Sequence, residues 1–144
     1  MYETTIELAF LGWSSANPNL TFIETTSPSN ADIRVRWVKE FGTGVAGHEL
    51  YGNVEVGLGT DYRHDRWQPF SVNYVGYVLT HEIGHALGVG HSNDPNNIMY
   101  KTAIPESYGL VEINKKVESG YGYFLPFYPS TNNADFSWSI ESDD

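Results

Sequence analysis

Apolar and polar positions change period several times along the first 90 residues, and each change marks an element. From Tyr2 to Ser15, the residues Ile6, Ala9, Phe10 and Trp13 recur at the spacing of one helical face, which predicts an amphipathic helix. Gly12 weakens that helix, and Asn17-Pro18-Asn19 ends it. Leu20 to Thr25 is rich in β-formers and is followed by a Ser/Pro/Asn turn from Ser27 to Asn30. Over Ala31 to Val38 the period falls to two. Ile33, Val35 and Trp37 share one face, while Asp32, Arg34 and Arg36 share the other, the signature of a half-buried strand. Phe41 to Thr60 is rich in glycine, with short strands expected around Val45-Ala46 and from Asn53 to Leu58. A polar, aromatic loop, Asp61 to Phe70, leads into a second helix.

That helix carries the longest stripe. Val75, Val78, Leu79, Ile83, Ala86 and Leu87 follow one buried face, with Ser71 or Asn73 as N-cap and Gly88 as the left-handed residue that stops it. A loop runs from Val89 to about Pro105, and Tyr108 to Val117 has the pattern of a third helix. The Tyr/Phe/Pro stretch from Tyr121 to Tyr128 reads as a segment wrapped over the core. Only Phe136, Trp138 and Ile140 alternate again before the acidic end.

Composition narrows the chemistry. The 144 residues are short enough for one domain, 1–144. With 18 Asp/Glu against 8 Lys/Arg the net charge is −10, which disfavours nucleic acid or anionic membrane as partner. Cysteine is absent, so no disulfide, thiolate nucleophile or Cys-based metal site is available, and any metal must be held by His and carboxylates. No secretory signal opens the chain, and no run of about 18 apolar residues predicts a membrane span.

Residues 81 to 91 read His81-Glu82-Ile83-Gly84-His85-Ala86-Leu87-Gly88-Val89-Gly90-His91, the pattern H-E-x-x-H-x-x-G-x-x-H. On a helix, positions four apart differ by only about 40° in direction, so His81 and His85 can bind one zinc ion together. Glu82 is offset around the helix and can reach a water beside the metal without becoming a ligand. Gly88 lets the chain turn out of the helix, and the turn returns His91 as a third ligand. Three protein ligands leave a fourth position for water, the arrangement of a catalytic zinc. Glu82 would then be general base and acid in hydrolysis.

This motif resembles that of the metzincins, a clan of zinc endopeptidases. Ser92 after the third His, and Ile98-Met99-Tyr100 with Met99 eight residues beyond His91, look like the matrixin subgroup, the matrix metalloproteinase type. The segment Asn30-Ala31-Asp32-Ile33-Arg34-Val35 resembles that group upstream, and the likeness covers roughly residues 2 to 104. It implies an α+β zincin fold: a twisted mixed sheet, an opening helix and an active-site helix, with subdomains 1–90 and 91–144. It also implies one catalytic zinc, Met99 beneath the histidines, Tyr100 walling a specificity pocket, a monomer acting on extended peptide, and a secreted setting. A structural calcium or second zinc, with Asp61, His64 and Asp65 or with Glu49 or Glu55 as ligands, is a further expectation, although surface-loop roles suit these residues better.

One departure stands out. Matrixins have a strand ahead of the opening helix, central in their sheet, and this chain starts at the helix. Either the N-terminus is trimmed, or Asp135 to Ile140 fills the vacant slot as in a circular permutation. Rival functions are a zinc-binding or interaction module of the same fold without general proteolysis, and a processing protease restricted to one partner or its own precursor. The carboxylate at Glu82 favours hydrolysis, since a purely metal-binding role has no use for it. An acidic shell around a cationic zinc cleft further implies a modest preference for neutral or basic peptides.

Overall fold

Burial of one helical stripe fixes the first element in place. The computed structural model describes residues 2–41, 45–60, 66–101 and 134–141. Helix α1 (Glu3–Ala16) buries Ile6, Ala9, Phe10 and Trp13, the stripe expected from the spacing, and extends it to Ala16. Strand β1 (Leu20–Glu24) follows, and the turn expected at 27–30 contains a single 3-10 turn, Pro28–Asn30. In β2 (Ile33–Val38), Ile33 and Val35 are buried while Arg36 is exposed, so the alternating pattern does decide the faces.

The glycine-rich stretch differs from expectation. Val45-Ala46 is not in a strand; β3 is instead Gly47–Leu50, antiparallel to β4 (Asn53–Gly57). The reason is the tight turn between them. Tyr51 and Gly52 both have positive φ, 50° and 82°, the two-residue geometry whose twist suits a hairpin. Pairing imposed by that turn makes a strand of Gly-His-Glu-Leu, which has little β propensity of its own. A small ribbon of β5 (Gly59–Thr60) and β6 (Gln68–Pro69) leads to helix α2 (Val72–Ala86).

The Ser71 side chain caps α2 by accepting from the Tyr74 N–H at 3.1 Å. Every residue from Tyr74 to Gly84 is buried, so α2 is the axis of the core. Trp13 of α1 donates its indole N–H to the Thr80 carbonyl at 2.9 Å, locking the two helices together where their apolar faces meet. None of the helices in the described residues is long and apolar enough to cross a membrane.

The last strand, β7 (Ala134–Glu141), completes the sheet in order β1-β7-β2-β4-β3. It runs parallel to both neighbours, with Leu20 opposite Ala134 on one side and Ile33 opposite Trp138 on the other. The slot that the resemblance left vacant is thus filled from residues 134–141. The predicted helix at 108–117 and the stretch 121–128 lie outside the described residues.

Candidate active site

The C-terminal end of α2 is built to turn sharply. Val89 N–H donates to the Gly84 carbonyl and Gly88 N–H to that of His85, both at 2.9 Å, the paired bonds of a Schellman stop. Gly88 supplies the left-handed residue with φ 91°, as its position in the motif predicts. The reversal carries His91 back toward His81 and His85. The three side chains meet with ligand atoms all within 4.8 Å of one another.

The proton positions in this trio follow from its partners. His81 Nδ1 lies 2.7 Å from the Ile98 carbonyl, and His85 Nδ1 lies 2.9 Å from that of Val89. A carbonyl only accepts, so each Nδ1 carries the hydrogen and each Nε2 keeps a lone pair. His85 Nε2 stands 3.1 Å from both His81 Nε2 and His91 Nε2. Lone pairs converging at that distance repel unless a cation lies among them. Tetrahedral zinc with Zn–N bonds of about 2.0–2.1 Å holds its nitrogens about 3.3 Å apart, so the donor set fits zinc. Burial, reinforced by the neighbouring His85 and His91, pushes His81 down to about 4, although its bond to Ile98 opposes the shift. Burial followed by the charges of His85 and Lys101 also lowers His91. Both shifts favour the neutral, ligating form.

Glu82 opens onto the same cavity of about 430 Å³ as the three histidines and Tyr100. Burial first, and the charge of Glu49 second, push its carboxyl up to about 7. The backbone of β3 passes so near that a Cβ on Gly47 would stand 2.9 Å from Glu82 Cγ and 2.5 Å from Val78 Cγ1. Gly47 and Glu49 are therefore neighbours of the site that no local motif reveals. In the metal-free protein at pH 6, Glu82 holds its proton while His81 is already neutral. Binding of a cation favours the carboxylate, so zinc binding at pH 6 should release a proton from Glu82 beyond any that the ligands give up, and zinc affinity should rise with pH toward 7. Calorimetric titrations in buffers of different ionisation enthalpy read that proton. A total release unchanged in Glu82→Gln would assign that proton elsewhere.

The turn 92–100 meets the site through the Ile98 carbonyl that His81 Nδ1 bonds. Ser92 N–H donates to the Met99 carbonyl at 2.9 Å, and Tyr100 N–H to that of Asn97 at 3.0 Å. The buried Asn97 accepts the Met99 N–H on its side-chain oxygen at 2.7 Å and so fixes the methionine's approach. An Asn two residues before Met99 is an Asx-turn signal visible in the sequence, although the zinc motif itself does not point to it. Met99 packs where Gly84 has no side chain: a Cβ there would lie 2.5 Å from Met99 Sδ and 2.6 Å from the Trp13 ring. Alanine gains about 1 kcal/mol of helix propensity over glycine. Here overpacking should prevail, because Met99 and Trp13 are both fully enclosed. Gly84→Ala is expected to lose about 1–3 kcal/mol in chemical denaturation. A gain in stability would refute this packing account.

The structure thus brings together His81, Glu82, His85, His91 and Tyr100 around one cavity, with Gly88 in the turn that leads to His91 and Met99 packed against Gly84. Of the residues considered for additional metals, Asp61, His64 and Asp65 lie outside the described residues. Glu55 pairs with Arg36 at 3.2 Å and His48 at 3.7 Å, and Glu49 accepts the Gly52 N–H at 2.8 Å. Among the described residues, only the three histidines form a group of three or more potential ligands.

Residues 1–116 match the matrixin family. The chain is similar to karilysin of Tannerella forsythia, 34% identical in an alignment covering 68% of this chain and 24% of that protein. It is also similar to macrophage metalloelastase of Oryctolagus cuniculus (34% identical; 78% of this chain, 25% of that protein). Human matrilysin is 41% identical in an alignment covering 46% of this chain and 28% of that protein. The chain thus spans about a quarter of the length of these curated relatives.

Proposed function

The chain belongs to the matrixin family, and on that premise we propose that it is a zinc-dependent endopeptidase that hydrolyses internal bonds of extended peptides. The observation that carries this reading is the convergence of three histidine Nε2 atoms beside a buried carboxyl in one cavity. His81, His85 and His91 would hold the metal. When bound, zinc supplies Lewis acidity and brings the pKa of a coordinated water to about 7. Glu82 accepts the proton of the attacking water and hands it to the leaving amine, a transfer suited to a group whose own affinity for protons is raised by burial. The carbonyls of Ile98 and Val89 hold the His81 and His85 rings in the tautomer that leaves Nε2 free. Met99 forms the floor, and Tyr100 walls the pocket beside the reacting bond.

Strand β3 is the edge of the five-stranded sheet and borders the cavity. An extended peptide adds to that edge through main-chain hydrogen bonds, antiparallel being the more stable sense. Residues 1–144 act as one domain in this reading, supported by the entry of β7 into the sheet of β1 and β2. A secreted monomer is the setting that accords with the family resemblance.

The test is hydrolysis of casein and of a quenched-peptide library by zinc-loaded protein, chelated protein and protein reloaded with zinc. Activity should vanish with the chelator and return with the metal. Protein that binds zinc stoichiometrically yet cleaves nothing in the library would instead be a metal-binding module.

A further inference from the structure

Two charged groups besides Glu82 line the cavity of the three histidines. Glu49 reaches it from β3 and Lys101 from just beyond Tyr100. Along β3, Gly47 and Glu49 are half-buried while His48 and Leu50 are exposed, so Glu49 shares the strand face on which Gly47 meets Glu82. One Glu49 oxygen accepts the Gly52 N–H at 2.8 Å, which orients the carboxylate. Lys101 is exposed and makes no ion pair among the described residues. The two charges belong to different parts of the cavity: Glu49 to the strand whose Gly47 meets Glu82, and Lys101 to the segment whose Tyr100 bridges Ser92 beside His91.

Resting on the peptidase reading, we propose that Glu49 and Lys101 select substrate by charge polarity, favouring a basic side chain on the N-terminal side of the cleaved bond and an acidic one on the C-terminal side. The direction follows from β3. Gly47 lies against Glu82, and Glu49 lies two residues farther along the strand. A peptide antiparallel to β3 therefore passes Glu49 with residues that precede the reacting bond. Lys101, carried beside His91 by the bridge between Tyr100 and Ser92, would then meet the residues that follow. This goes beyond the net charge of −10, which disfavours acidic side chains everywhere. Charges on the far surface are screened over about 8 Å at physiological salt, whereas a charge lining the cavity acts at contact distance.

Three quenched peptides of equal length test the idea: basic-to-acidic, acidic-to-basic, and neutral. Wild-type kcat/KM should favour the first over the second about tenfold, the yield of two partly shielded ion pairs and the repulsions they replace. Glu49→Gln keeps the acceptor for Gly52 and removes only the charge, which separates a role in reading substrate from one in shaping the hairpin. Glu49→Gln and Lys101→Met should each reduce the ratio about threefold, and Glu49→Lys with Lys101→Glu should invert it. Fluorescence anisotropy with catalytically silent Glu82→Gln protein reads the same preference as binding. Equal rates and equal binding for both polarities, or the reverse preference, would overturn the proposal. Failure of zinc-loaded wild type to cleave the neutral peptide would overturn the peptidase reading instead, while the binding ratio would still decide the charge selection.

Discussion

Glu82→Gln should lower peptide hydrolysis by about 10²–10⁴-fold while the protein still binds one zinc and melts as a folded domain. The amide matches the carboxylate in size, so the contact with β3 at Gly47 survives. What disappears is the ability to take a proton from water and return it to the amine. Because the site buries Glu82 and places Glu49 nearby, the substitution removes a group that burial strains toward its neutral form. The variant should therefore be no less stable than wild type without metal. Zinc content by mass spectrometry, turnover and thermal melts separate the possibilities. Full activity in this variant would mean that another group moves the proton.

Removing residues 134–144 should abolish cooperative folding. Strand β7 pairs with β1 over Leu20 to Glu24 and with β2 over Ile33 to Arg36, so it supplies the inner ladders of both. Without it, β1 loses its place in the sheet, and backbone groups enclosed under α1 lose partners at about 1–3 kcal/mol each. A few such losses match the whole stability of an ordinary domain, about 5–15 kcal/mol. Ser137→Pro is a milder probe, since proline removes one donor from a strand paired on both sides. A truncated chain whose cooperative far-UV transition lay within about 5 °C of the full chain would show that β7 is dispensable.

The sequence was most legible where the physics is local. The stripe of α1, the alternation of Ile33 and Val35, and the spacing of His81, His85 and Gly88 each depend on neighbours a few residues away, and the structure keeps them all. Strand β3 was not legible, because its pairing comes from the Tyr51-Gly52 turn and its own residues are poor β-formers. The closeness of Gly47 and Glu49 to Glu82 was invisible for the same reason, being a product of how the sheet edge crosses α2. For β7 the alternation of Phe136, Trp138 and Ile140 marks a strand, but its slot was legible only through the resemblance, whose fold has a central strand ahead of the opening helix.

The position of β7 has a kinetic side as well. Its partners lie at Leu20–Glu24 and Ile33–Arg36, so each of its ladder bonds joins segments separated by most of the chain. Loop-closure entropy rises only slowly with length, so equilibrium suffers little, but folding slows as such remote pairings dominate. During synthesis, β1 and β2 must wait for residues near 140 to emerge before their facing edges close. Until then both edges can capture any extended segment, including that of another unfinished copy. Refolding yield should accordingly fall as protein concentration rises, a vulnerability that belongs to the order of the strands and not to the chemistry of the metal centre.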